Sequence, residues 1–229
     1  MRESRTISGI RLERRDIERM IADDGVPTRL VDCDLEESDL SRLDVSGFSF
    51  ERCVLIDADL SHAVATGTTW TSCRARKASM RGADLTDATF AGGDWNNGDW
   101  QRARLPGASF RGVKLTGCSF TDVRSIGTTF EDCLMQSAIL SGMSFRKADL
   151  GRCDMSRADL RECDFRNARF GPGSSMAEAM IADARFDGAD LRQADMSGHG
   201  ISSLATLSGA RISAQQAAMM VEAAGLKVG

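Results

Sequence analysis

From Leu30 to Phe170 every fifth residue is apolar, with the single exception of Ser125, and the positions between are mostly polar except for a small side chain two places before each. A five-residue period matches neither the 3.6-residue turn of a helix nor the two-residue alternation of a strand, so the repeating unit is a supersecondary element of its own. Sampling these centres every twenty residues isolates one column of large side chains: Leu30, Phe50, Trp70, Phe90, Phe110, Phe130, Leu150 and Phe170. Internal repetition on this scale predicts a solenoid, an elongated body in which each unit touches only its neighbours. Ordering five backbones costs roughly 5 to 10 kcal/mol, at about 1 to 2 per residue. One buried Leu or Phe returns about 1.5 to 3 kcal/mol, so a lone unit is unstable and stability has to come from stacking.

The same pattern marks where the repeat begins and ends. Residues 1–29 lie outside it, and within them Glu13 to Asp23 predicts a short amphipathic helix with Ile17, Met20 and Ile21 on one face, ended by Gly25 and kept from resuming by Pro27. An open solenoid end exposes strand edges and a core cross-section, and this helix is the predicted lid. After Phe170 the stretch Gly171-Pro172-Gly173-Ser174-Ser175 advances the frame by one, giving later centres at Met176, Ile181, Phe186, Leu191, Met196 and Ile201. It reads as a one-residue bulge at a corner or, alternatively, as a protruding recognition loop. A second extra residue falls between Ile201 and Leu207, after which Ile212 completes the last unit.

Ser213-Ala214-Gln215-Gln216 then has the form of a capping box. The helix it opens carries Ala217, Met220, Val221 and Ala224 on one face and Met219 beside it; Gly225 ends it, and Leu226-Lys227-Val228 is predicted as a short strand. The organisation is therefore a cap over 1–29, a repeat over 30–212 and a closing segment over 213–229. That closing segment offers more apolar surface than one capping face needs, which points to self-association with Met219, Met220, Val221, Leu226 and Val228 as interface candidates; simple end-capping of a monomer is the alternative reading.

Composition narrows the function classes. A formal net charge of −4 over 229 residues argues against strong non-specific binding to nucleic acid. The arginine-rich first fifteen residues contain no apolar run, and no stretch approaches a membrane span, so a cytoplasmic protein is expected. Cys33, Cys53, Cys73, Cys118, Cys133, Cys153 and Cys163 all stand two residues before a centre, where Ala, Thr, Gly and Val otherwise stand. They read as small buried hydrophobes, not as metal ligands or disulfide partners. His62 and His199 are far apart, and no nucleophile elbow, phosphate loop or metal motif is present. The expectation is a protein that is not an enzyme and needs no cofactor.

The units themselves read A-D-L-x-x: Ala58-Asp59-Leu60, Ala83-Asp84-Leu85, Ala148-Asp149-Leu150 and Ala158-Asp159-Leu160, with Cys33-Asp34-Leu35 and Cys163-Asp164-Phe165 as variants. Over roughly residues 30 to 212 the sequence thus resembles the pentapeptide-repeat family, whose motif is A-(D/N)-L-x-x. The resemblance implies an all-β solenoid, a right-handed quadrilateral β-helix with four pentapeptides per twenty-residue coil and short capping helices. About nine coils at about 4.8 Å each would extend roughly 40 to 45 Å. The closing segment is similar to that of the topoisomerase-protecting branch of the family, the quinolone-resistance and mycobacterial fluoroquinolone-resistance proteins. That resemblance implies a tail-to-tail homodimer with the width and charge of B-form DNA. Such a dimer would bind DNA gyrase or topoisomerase IV in place of DNA and relieve it of inhibitors such as quinolones, without contacting nucleic acid or membrane itself.

Charge both supports and complicates this mimicry. Residues 30–60 hold nine acids against Arg42 and Arg52, which predicts one strongly negative face; Asp34, Glu36, Glu37, Asp39, Asp44, Asp57 and Asp59 are the candidate topoisomerase contacts. Residues 101–170 carry twelve basic and eight acidic side chains, a net of +4. Thirteen of the 23 aspartates also stand immediately before a centre, where the motif itself calls for Asp. The alternative reading is an interaction scaffold or effector with an unrelated protein partner.

Overall fold

The computed structural model describes residues 5–23, 26 and 28–228, in two compact units, Met1–Thr128 and Thr129–Gly229. In the first unit, strands β1 (Arg5–Ser8), β2 (Thr28–Val31), β3 (Ser49–Glu51), β4 (Thr69–Thr71), β5 (Thr89–Ala91) and β6 (Ser109–Arg111) follow one another in a parallel sheet, with helix α1 (Arg14–Ala22) between β1 and β2. From β2 onward the register steps by twenty residues and pairs Leu30 with Phe50, Phe50 with Trp70, Trp70 with Phe90 and Phe90 with Phe110. The other three sides of each coil are held by parallel single-residue bridges, such as Asp34 to Val54, Asp39 to Asp59 and Asp44 to Val64. In this unit each of these centres therefore lies above its counterpart in the preceding coil, which makes a parallel β-helix with twenty residues per coil.

The core follows from that register. Phe50, Trp70, Phe90 and Phe110 are buried with rings nearly parallel, 3.9 Å between the Phe50 and Trp70 centroids and 4.6 Å between Phe90 and Phe110. Trp95 and Trp100 meet Phe90 edge-on at 5.1 and 5.3 Å, so stacked and T-shaped pairs alternate, each adding about 0.5 to 1.5 kcal/mol beyond burial.

The N-terminal segment differs from the sequence expectation. Residues 5–8 do not stand outside the solenoid: β1 pairs with β2, Ile7 opposite Leu30, and Arg11 bridges to Asp34. The lid is α1, with Ile17 and Met20 buried and a capping box between Glu13 and Asp16. It is tied to the coil beneath by Arg14, which donates to Ser41 O at 3.1 Å and to the Asp39 carboxylate. The expected stop signals Gly25 and Pro27 lie outside the described residues.

In the second unit, β7 (Thr129–Glu131) is followed by coils joined through single bridges. Phe130 and Phe170 are buried, and Phe145, Phe165 and Phe186 stack at 5.0 Å intervals. The register changes from Asp149 opposite Arg169 to Asp154 opposite Ser175, so one residue is inserted at Gly171. Gly171 is buried, and a Cβ there would lie 3.2 Å from Gly151 Cα. The stretch is a corner bulge, and no recognition loop protrudes. The second insertion is also present, since Asp190 pairs with Arg211. The expected centre Ile201 is instead 43% exposed, because a 3-10 turn over Ile201–Ser203 lifts it out of the coil and Leu207 fills the interior.

Helix α2 (Ala214–Glu222) opens with the capping box expected at Ser213 and Gln216. Gln216 also donates from Nε2 to Leu191 O at 2.7 Å and Ala194 O at 2.8 Å, so the capping residue pins the helix across the last coil. Leu226-Lys227-Val228 forms no strand; it follows the left-handed Gly225 as exposed chain without regular structure. Among the described residues no helix is long and apolar enough to cross a membrane.

Candidate protein-interaction surface

With the centres and small residues turned inward, each pentapeptide offers three side chains to solvent: the one before the centre and the two after it. The corners explain which residue types these are. At most of them the N–H three residues after a centre donates to the centre's carbonyl, as Ser38 N does to Leu35 O at 3.1 Å, and the second residue after the centre has φ near +60°, as Glu37, Arg42 and Lys77 do. The aspartate before the centre fastens this turn. All thirteen such aspartates accept, through Oδ1, the N–H two residues on, an Asx turn that competes with no ladder bond.

The small inward position has its own chemistry. Sγ of Cys53, Cys73, Cys118 and Cys163 donates to the carbonyl 23 residues earlier, at 3.1 to 3.4 Å. Thr128 Oγ1 does the same to Leu105 O at 2.7 Å, and His199 Nε2 donates to Met176 O at 2.9 Å. Burial pushes the Cys118 and Cys163 thiols up to about 12, so they are protonated donors. The described residues contain no cluster of His, Cys, Asp and Glu that could hold a metal ion.

The acidic candidates separate on these grounds. Asp34, Asp39, Asp44 and Asp59 all fasten turns; Asp39 also pairs with Arg14, and Asp34 lies 3.6 Å from Arg11. Glu36, Glu37 and Asp57 are outward, with no side-chain hydrogen bond or ion pair among the described residues, and all three are exposed. The expectation of one continuous acidic face over residues 30–60 does not hold, because the chain turns a corner every five residues. Asp34, Glu36, Glu37 and Asp57 share one side, Asp39 and Asp59 the next, and Asp44 the one after. On the fourth side Asp32 and Glu51 are neutralised, their carboxyls held below the usual range by hydrogen bonds from Arg52 and Arg29 respectively.

The side with the free carboxylates also carries a group the sequence reading passed over. Arg74, Arg76 and Lys77 occupy the three outward positions of the coil two above Asp34, all exposed and without an ion pair among the described residues. Their signal was three bases in consecutive outward slots of one unit.

The interface candidates of the closing segment also divide. Met219, Leu226 and Val228 are 43%, 57% and 49% exposed, and Val221 is half-buried. Met220 is 1% exposed: it faces the last coil beside Gln216 and works as the cap, so it is withdrawn from the surface.

The family model described as "Pentapeptide repeats (8 copies)" matches residues 53–92, 83–122, 138–171 and 172–198, more than half of the chain. The chain belongs to the pentapeptide-repeat family. No curated protein matches it. Among solved structures of pentapeptide-repeat proteins, a trypsin-treated form of QnrB1, a plasmid-mediated fluoroquinolone resistance protein, is 18% identical with a TM-score of 0.53, covering 99% of this chain and 100% of that one. Full-length QnrB1 is 17% identical with a TM-score of 0.41 over 97% and 98% of the two chains. HetL, involved in heterocyst differentiation regulation in the cyanobacterium Nostoc sp. strain PCC 7120, is 20% identical with a TM-score of 0.29 over 87% and 94%. At these identities the likeness is one of fold.

Proposed function

We propose that the protein acts by binding and not by chemistry, occupying the DNA site of a type II topoisomerase, DNA gyrase or topoisomerase IV, and protecting the enzyme from inhibitors. The observation that carries the reading is the row of outward carboxylates Asp34, Glu36, Glu37 and Asp57 on one side of the first coils, of which Glu36, Glu37 and Asp57 are left without a partner among the described residues. Rows about 4.8 Å apart present negative charge at a density comparable to the one charge per about 3.4 Å along a DNA strand. The fold shared with QnrB1, a fluoroquinolone resistance protein, supports it. The active form is a cytoplasmic homodimer joined through the closing segment 213–229, whose exposed Met219, Leu226 and Val228 supply the contact. No cofactor and no direct nucleic-acid contact enter.

A second reading, a scaffold with an unrelated protein partner, draws on the basic row Arg74, Arg76 and Lys77 on that same side, which no DNA mimic needs. Gyrase supercoiling measured with and without a quinolone separates the two. Protection at protein concentrations where the dimer forms is the expected result, and neither inhibition nor rescue would transfer the assignment to the scaffold.

A further inference from the structure

The side of the first unit that bears both charge rows has an internal order. In the column of residues preceding each centre, parallel bridges place Arg11, Asp34, Val54, Arg74 and Asp94 one above another. Reflected about Val54, Asp34 matches Arg74 and Arg11 matches Asp94, while Lys114, bridged to Asp94 one coil further on, lies beyond the matched pairs. The two columns after the centre repeat the relation. Backbone bonds from Glu37 N to Ile56 O and from Asp57 N to Arg76 O stack those corners, so Glu36 and Arg76 flank Ile56 while Glu37 and Lys77 flank Asp57.

We propose that this side is a two-fold self-association surface on which two copies pack face to face with their coil stacks antiparallel. A two-fold axis running along the strand direction through the Val54–Ile56 coil preserves position within a coil and reverses the order of coils. It sets Asp34, Glu36 and Glu37 of one copy opposite Arg74, Arg76 and Lys77 of the other, and Val54 and Ile56 against their own counterparts. The two Asp57 carboxylates that meet at the axis are flanked by both Lys77 side chains. A self-complementary patch is what an isologous contact requires. The half-buried Val54 and Ile56 supply the central apolar contact, and the surrounding pairs fix register more than they add strength.

This surface uses the carboxylates assigned above to the topoisomerase contact, so the two associations exclude each other, and the test of this one uses the protein alone. All seven native cysteines are buried, so a single added thiol reports. Ile56→Cys, on the axis, is expected to form an intermolecular disulfide under mild oxidation, with a yield that falls several-fold between about 50 mM and about 500 mM salt as screening sets in. Val64→Cys, 40% exposed two corners away, is expected to stay monomeric on the gel. Within the Ile56→Cys background, Glu36→Lys with Glu37→Lys makes the patch basic, and Arg76→Glu with Lys77→Glu makes it acidic. Each alone is expected to lose the disulfide, and mixing the two is expected to restore it as a heterodimer, which also shows that both variants are folded. Equal yields at 56 and 64, or a mixture no better than its components, would overturn the proposal.

Discussion

The two compact units use the same motif aspartate and leave it in different electrostatic states. In the second unit Asp159, Asp164 and Asp190 each receive a bidentate pair of bonds from the arginine two residues on, at 2.6 and 2.8 Å. In the first unit the residue at that place is Glu36 after Asp34, Ser41 after Asp39, Ser61 after Asp59 and Asn96 after Asp94, never an arginine. Where the turn carries its own arginine, charge is cancelled within one pentapeptide. Where it does not, an aspartate can pair with an arginine distant in sequence, as Asp39 does with Arg14 and Asp99 with Arg81. On the side of Glu36, Glu37 and Asp57, carboxylates and the bases Arg74, Arg76 and Lys77 stand in separate rows, unpaired among the described residues. On the proposed reading the first unit is accordingly the place for recognition.

The largest effects lie in the shared core and test whether the units are built alike. Phe90→Ala in the first and Phe165→Ala in the second should each destabilise by about 3 to 5 kcal/mol, measured by denaturant unfolding followed by circular dichroism. A loss below about 1 kcal/mol at either would deny that its ring column holds that unit together. Gly93 has φ +93° and a would-be Cβ 2.5 Å from Cys73 O, whereas Gly67, at φ +63°, faces open space. Gly93→Ala should therefore exceed the about 1 to 2 kcal/mol that left-handed backbone costs Gly67→Ala.

Next come the turns. Asp159→Ala removes the Oδ1 acceptor for Arg161 N and the arginine's partner together, and a loss of about 1.5 to 3 kcal/mol is expected. Glu36→Ala should stay within about 0.5 kcal/mol of the parent, since nothing within the chain leans on it. A similar cost for both would erase the distinction between turn-fastening and free carboxylates.

Acid should reach the second unit's pairs only below the ordinary carboxylate range. Arginine hydrogen bonds hold Asp159 and Asp164 below the ordinary carboxylate value and Asp190 down at about 2. Because these folded-state values are depressed, their stabilisation is complete above the unfolded value of about 3.9 and is lost as pH falls through the folded values. Melting temperature should be insensitive to these groups from pH 5 to 8 and decline below about pH 4, less steeply in Asp159→Asn. The smallest effect concerns the closing segment: Met219→Asp with Leu226→Asp should halve the mass in light scattering at moderate salt while leaving the fold intact, as Met220 still seals the last coil.

How much of this was legible beforehand depends on what a side chain needs from its neighbours. Phe50, Trp70 and Phe90 announced the column because burial at a fixed period leaves a linear trace, and Ser213 with Gln216 announced the cap because its chemistry is local. β1 left no trace, since Arg5-Thr6-Ile7-Ser8 takes its strand conformation from β2. Leu226 and Val228 looked like a strand but find no edge to pair with. Charge was the least legible property: nine acids close together in sequence were spread over four sides, and Asp32, Asp39 and Glu51 met arginines distant in sequence, while Arg74, Arg76 and Lys77 gained their meaning only from what lies two coils below.

The division of labour between carboxylates can be measured with two variants of equal charge change, Glu36→Gln/Glu37→Gln/Asp57→Asn and Asp159→Asn/Asp164→Asn/Asp190→Asn, compared for protection of gyrase supercoiling against a quinolone. The first should lose protection with its melting temperature unchanged, and the second should protect as the parent does while melting lower. Equal loss of protection in both would mean that total charge matters and the free carboxylates of the first unit do not, contradicting the account.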